Sequence, residues 1–125
     1  MVYLLDTNII IRFLVGDHKE HLEIAIDIFK KVESGEYKVE IIEPVIMEAF
    51  FVLVKFYKIP KKDVISDLKK IIALQGVVGN KIVLFETLHI LEDKNIDFVD
   101  ALICAKSRLQ GYKKLSFDKD VNKKC

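Results

Sequence analysis

The sequence is poor in cysteine, holding only Cys104 and Cys125. The first falls inside an apolar helical pattern and the second at the last position, and their spacing suggests neither a disulfide framework nor a thiolate metal site. A reducing cytoplasm is the expected setting. Net charge is nearly absent too: twenty Lys and Arg against nineteen Asp and Glu leave +1. No global field therefore draws the chain to nucleic acid or membrane, and any polyanion contact must be a local patch. Long hydrophobic runs are missing as well. The most apolar stretch, Val45 to Val54, is about half of the ~20 residues a bilayer span needs, and Glu48 interrupts it. The opening Met1-Val2-Tyr3-Leu4-Leu5-Asp6 lacks the basic, apolar and small-residue regions of an export signal. No Gly-rich phosphate loop, repeat, low-complexity tract or interdomain linker appears, so a single domain over residues 1–125 is expected.

What is present is a globular balance. Hydrophobic residues make up 51% and charged residues 31% of 125 positions, far from the signature of disorder. A chain of this size buries roughly two-thirds of its unfolded surface, enough for a core without staples.

Val2 to Leu5 reads as a first strand, closed by Asp6-Thr7-Asn8 and followed by an apolar helix from Ile9 to Val15 before Gly16. Leu22, Ala25, Ile26, Phe29 and Val32 recur at three- and four-residue spacing, which predicts an amphipathic helix over 18–33 ended by Gly35. Lys38 to Ile42 reads as the second strand. Glu43-Pro44 opens the next helix, because proline is tolerated where its missing N–H has no partner. A helix over 61–74 buries Val64, Ile65, Leu68, Ile71 and Ile72, with Gly76 placed to cap it and a turn to Asn80. Lys81 to Leu84 is expected as the third strand, Phe85 to Leu91 as a short helix, Asp97 to Leu109 as another helix ended by Gly111, and Lys113 to Phe117 as the fourth strand. Alternating strands and helices imply an α/β sandwich of three layers around a mainly parallel sheet of four or five strands.

In an open parallel sheet, ligands gather outside the carboxyl ends of the strands. Acids recur at that edge. Asp6 ends the first expected strand, Glu48 lies early in the helix after the second, Asp100 lies in the first turn of the helix before the fourth, and Asp118 ends the fourth. Any one acid alone reads as a solvated or helix-capping residue. Glu48 is the exception, because Val45, Ile46, Met47, Ala49, Phe50 and Phe51 leave no polar face for it, so it is expected to be buried and partnered. Asp97 sits where an N-cap is wanted and is assigned to capping, leaving Asp100 to project into the site.

Asp6-Thr7-Asn8 after an N-terminal strand, Glu48 in an apolar helix, Phe98-Val99-Asp100-Ala101-Leu102-Ile103, and Leu115-Ser116-Phe117-Asp118 together resemble the motifs of PIN domains. The likeness runs from Met1 to about Asp120, and in size and layout it is similar to the VapC class of toxins from toxin–antitoxin pairs. Ser116 stands where family members commonly carry Thr and keeps the hydroxyl. The resemblance implies a Mg²⁺- or Mn²⁺-dependent endoribonuclease acting on RNA, with a small antitoxin protein as partner. Carboxylate oxygens suit those ions, which also relieve the repulsion among clustered acids. On this reading Asp6, Asp100 and Asp118 are metal ligands and Glu48 orients or deprotonates the attacking water.

The surplus apolar face of Leu22 to Val32 and Val64 to Ile72 suggests a homodimer. Arg12 and the lysines from Lys113 to Lys124 are available to phosphate. His18, His21 and His89 lack metal-ligand spacing, and Cys104 reads as a small core residue. A receiver domain is the rival α/β enzyme-coupled class, but it requires an acidic pair after the first strand and an Asp after the third, where this chain has Thr7-Asn8 and Phe85-Glu86-Thr87. The other alternative is a PIN-like module that binds RNA or protein with weak or no catalysis.

Overall fold

Parallel pairing of three short strands organises the first part of the chain. The structure is a computed structural model that describes residues 1–125 apart from the side chains of Asp120 and Lys124. It divides into two compact units, Met1–Gly79 and Asn80–Cys125.

In the first unit, β1 (Val2–Leu4) pairs with β2 (Lys38–Glu40), Tyr3 opposite Val39, and β2 pairs with β3 (Val77–Val78), Val39 opposite Val77. The order is β1-β2-β3, with β2 in the middle and Val39 almost wholly buried. Helix α1 (Thr7–Val15) follows β1 and α2 (Lys19–Ser34) follows α1. Their ends come from local chemistry: Gly16 at φ 69° and Gly35 at φ 83° take the left-handed conformation that closes a helix and that other residues adopt only with strain. His18 caps α2 by accepting from the His21 backbone N–H at 3.2 Å, so this histidine is a structural cap. Phe13 on α1 packs on Phe29 of α2 with ring centroids 4.5 Å apart.

Helix α3 (Glu43–Phe51), with proline in its first turn, runs on into a π-helical segment, Val52–Phe56. Helix α4 (Lys61–Ile72) buries Val64, Ile65, Leu68, Ile71 and Ile72, each at most 3% exposed. The expected helical cap at Gly76 has a different role. Its N–H donates to the Val32 carbonyl at 2.8 Å while its own carbonyl accepts from Val39 N–H at 2.8 Å. A Cβ there would lie 2.6 Å from the Val32 oxygen and would also collide with the Tyr37 carbonyl, so the glycine is needed for close backbone approach.

In the second unit, α5 (Lys81–Asp93) packs on α6 (Phe98–Gln110), and α6 on the short α7 (Lys119–Lys124). Two expected strands are corrected here. Lys81 to Leu84 is the first turn of α5, because Val83, Leu84, Thr87, Leu88 and Leu91 form one helical stripe that is buried as a unit. A four-residue apolar run is locally compatible with either element, and its neighbours decide. Lys113 to Phe117 joins no ladder, and Leu115 and Phe117 are fully exposed. Among the described residues the sheet has three strands rather than four or five, and its third strand, β3, lies inside the stretch read as a turn. The fold class stands: an α/β fold with a parallel sheet flanked by helices.

Candidate functional site

Asp6 lies at the carboxyl end of β1, directly after Leu5, whose N–H continues the ladder to the Glu40 carbonyl at 3.1 Å. It is the N-cap of α1. Its backbone is extended (φ −85°, ψ 151°), its Oδ1 accepts from Thr7 N–H at 2.8 Å, and its carbonyl accepts from Ile9 N–H at 3.1 Å. Those bonds hold the exposed carboxylate at the mouth of a cavity of about 190 Å³ lined by Tyr3, Leu5, Asp6, Ile9, Tyr37 and Val39. The rings of Tyr3 and Tyr37 meet at 4.9 Å, and the Lys31 ammonium sits 5.1 Å from the Tyr37 ring centre. A hydrogen bond to the Asp27 carboxylate raises Lys31 above the ordinary lysine range.

Glu48 stands in the second turn of α3, a helix that packs on α1. Its expected burial is corrected: Glu48 is exposed. The apolar neighbours turn inward through Ile46, Ala49, Phe50 and Leu53, while Pro44, Glu48, Phe51 and Lys55 follow one another along an open stripe. Helical geometry thus supplies the face that composition concealed. Being open, the carboxylate needs no buried partner and is accessible to an ion or water.

In the second unit, Asp100 is half-buried in the first turn of α6, where a carboxylate complements the positive end of the helix. Asp97 occupies the N-cap position as expected, but its side chain makes no capping bond; its carbonyl accepts from Ala101 N–H at 2.9 Å. Asp118 is exposed just before α7. Its N–H donates to Ser116 Oγ at 2.9 Å and its carbonyl accepts from Asn122 N–H at 3.2 Å, so Ser116 orients the backbone next to this acid.

Arg12 pairs with Asp17 at 3.3 Å, and Tyr57 also donates to Asp17 at 3.3 Å, which ties this arginine into an exposed network. One pairing escaped the sequence reading altogether: Cys104 and Cys125 are joined as a disulfide, with Cα atoms 5.3 Å apart. No local spacing announces it, since the two positions are 21 residues apart and α7 brings them together.

The donor set suits a hard divalent cation, being carboxylate oxygen throughout. Among the described residues, no three His, Cys, Asp or Glu side chains gather into a metal-holding group. Asp6 and Glu48 belong to the first unit, Asp100 and Asp118 to the second. Mg²⁺ commonly takes one or two carboxylates, with waters and substrate phosphate completing its shell.

A helix-flanked parallel α/β fold, with acids at the end of β1 and in early helical turns, defines the class. The chain belongs to the PIN-domain family, whose model matches residues 3–125. No match was found among curated proteins or among solved structures. The family's fold is nuclease-like, and its members are generally metal-dependent nucleases that act on RNA. Among the described residues no helix is long and apolar enough to cross a membrane.

Proposed function

We propose that this chain is a divalent-metal-dependent endoribonuclease, the toxin of a VapBC-type toxin–antitoxin pair. The observation that carries the reading is the family match across residues 3–125 in a chain that carries Asp6, Glu48, Asp100 and Asp118. The match spans both compact units, which supports one functional domain. On this reading Asp6, Asp100 and Asp118 would hold Mg²⁺ or Mn²⁺, which when bound would supply an acidified water and stabilise the leaving oxygen. Asp6 is kept rigid for this role by the N-cap of α1. Glu48, open on α3, orients the attacking water and takes its proton.

The test is cleavage of RNA by purified protein in Mg²⁺ and in Mn²⁺. Glu48→Gln is expected to lower the rate at least about a hundredfold, the usual scale of losing a general base. Because Glu48 is exposed, the melting temperature should be unchanged or slightly higher. A destabilised variant with an unchanged rate would make Glu48 structural. The second reading is an RNA- or protein-binding module of the same family with weak or no catalysis. RNA binding with no cleavage in either ion would select it.

We assign the protein to the cytoplasm, as a homodimer with a small antitoxin partner. The apolar faces that suggested a dimer are largely spent inside the first unit, α4 most of all. The support that remains includes Ile24, exposed on α2, and Val99 and Ile103, exposed one turn apart on α6. An antitoxin has a place to dock in a groove of about 350 Å³ between α1, α2 and α4, lined by Phe13, Leu14, Ile26, Phe29, Ile71 and Leu74. An amphipathic helix fills such a groove, and a basic side chain elsewhere on the partner pairs with the site carboxylates and excludes the ion. Light scattering of the chain alone should report the dimer. With an inhibitory partner added, alanine at the partner's basic positions should relieve inhibition; a monomer, or undiminished inhibition, would remove the corresponding assignment.

A further inference from the structure

The chain's only two cysteines are bonded to each other, Cys104 on α6 and Cys125 beyond α7. Cys104 is wholly buried, whereas Cys125 is half-exposed. Cys104 lies four residues after Asp100, so the bond meets α6 one turn from that acid and on the same helical face. The segment it encloses carries Asp118. Residues 111–116 form no regular element, Leu115 and Phe117 are fully exposed, and α7 has six residues, far below the ~12–15 a helix needs to persist alone. Besides the disulfide, the segment's attachments include buried Val121, Ser107 of α6, whose hydroxyl donates to the Tyr112 carbonyl at 2.6 Å, and Arg108, which donates to the Cys125 carbonyl at 3.1 Å.

We propose that the Cys104–Cys125 pair is a redox latch: its oxidation fastens the Asp118-bearing segment to the face of α6 that carries Asp100, and its reduction releases it. The oxidant is a low-molecular-weight disulfide such as oxidised glutathione. The Cys125 thiolate, the accessible one, attacks that disulfide, forming a mixed disulfide and expelling one glutathione thiolate. Cys104, losing its proton, then attacks the Cys125 sulfur and expels the second glutathione thiolate. Two protein thiols have given up two electrons and two protons, and one small disulfide has become two thiols. In reverse, a reducing thiol attacks Cys125 and Cys104 leaves. A bond closing a loop of this length confines the released chain strongly, so opening of the segment should differ between the two states. That the latch exists stands apart from the nuclease reading; that it matters for metal binding rests on that reading of Asp118.

The full chain is equilibrated in glutathione buffers from reducing to oxidising, then alkylated and weighed. Two alkyl groups are expected in the reduced protein and none in the oxidised monomer. Backbone hydrogen exchange over residues 112–124 should be at least about tenfold slower when oxidised. Cys125→Ser should exchange at the reduced rate in every buffer, which separates the latch from other effects of the buffer. Two alkylated thiols under oxidising conditions, a bond formed between chains, or equal exchange in the two states would each overturn the proposal. In a parallel assay, reduction should raise the Mn²⁺ concentration for half-maximal cleavage at least about threefold, through looser placement of Asp118. An exchange difference without that rise would keep the latch and remove Asp118 from the ligand set, whereas equal exchange would sink the latch and leave the nuclease reading standing.

Discussion

Asp6→Asn should lower metal-dependent RNA cleavage at least about a hundredfold, because it removes the charge that helps hold the ion while keeping the shape of the side chain. The same residue caps α1 through its 2.8 Å bond to Thr7 N–H. Asparagine caps a helix about as well as aspartate, so the melting temperature of Asp6→Asn should stay close to that of the parent. Asp6→Ala removes both functions and should lose about 1 kcal/mol of stability in addition. Comparing cleavage rates and melts of the two variants separates the chemical role from the capping role. Equal cleavage by Asp6→Asn and the parent would exclude Asp6 from the metal site, and a melting temperature of Asp6→Ala equal to that of Asp6→Asn would exclude the capping role.

A loss of about 3–5 kcal/mol is expected from Phe98→Ala, the usual range for truncating a buried aromatic. Phe98 opens α6 and is 1% exposed, so its ring is among the largest wholly buried side chains. It stands two positions before Asp100, in the same helical turn. Losing the ring therefore loosens the turn that presents the acid, and cleavage should fall with stability. Phe98→Leu retains most of the apolar volume and should recover much of both. Urea unfolding of the three proteins measures the first effect, and a loss below about 1 kcal/mol for Phe98→Ala would mean that the site relaxes around the vacancy.

How legible the molecule was depends on the range over which each feature is decided. Helices ended by Gly16, Gly35 and Gly111 were evident because a left-handed cap is chosen by the one residue that adopts it without strain. The amphipathic faces of α2 and α4 were equally evident from apolar spacing. The acids at the end of β1 and in early turns of α3 and α6 could be placed on their elements from the same local signals. Their exposure could not. Glu48 looked buried when its neighbours were counted along the chain, and proved open once those neighbours were wound into a helix and packed through Ile46, Ala49 and Phe50.

By itself, then, the sequence determined the α/β class, most helix boundaries, the identity and order of the candidate acids, and the family to which they belong. Caps, periodicity and motifs act within a turn or two, so they are written in adjacent residues. Only the tertiary structure decided which apolar runs became strands. Val77–Val78 became β3 because β2 offers it a parallel partner, Lys81–Leu84 became helical because α5 packs along α6, and Lys113–Phe117 has no ladder to join. It also decided that Gly76 serves close backbone approach and that Cys104 meets Cys125. Each of these depends on a partner far away in the chain, and the free energy of a ladder, a packed face or a disulfide exists only when that partner arrives.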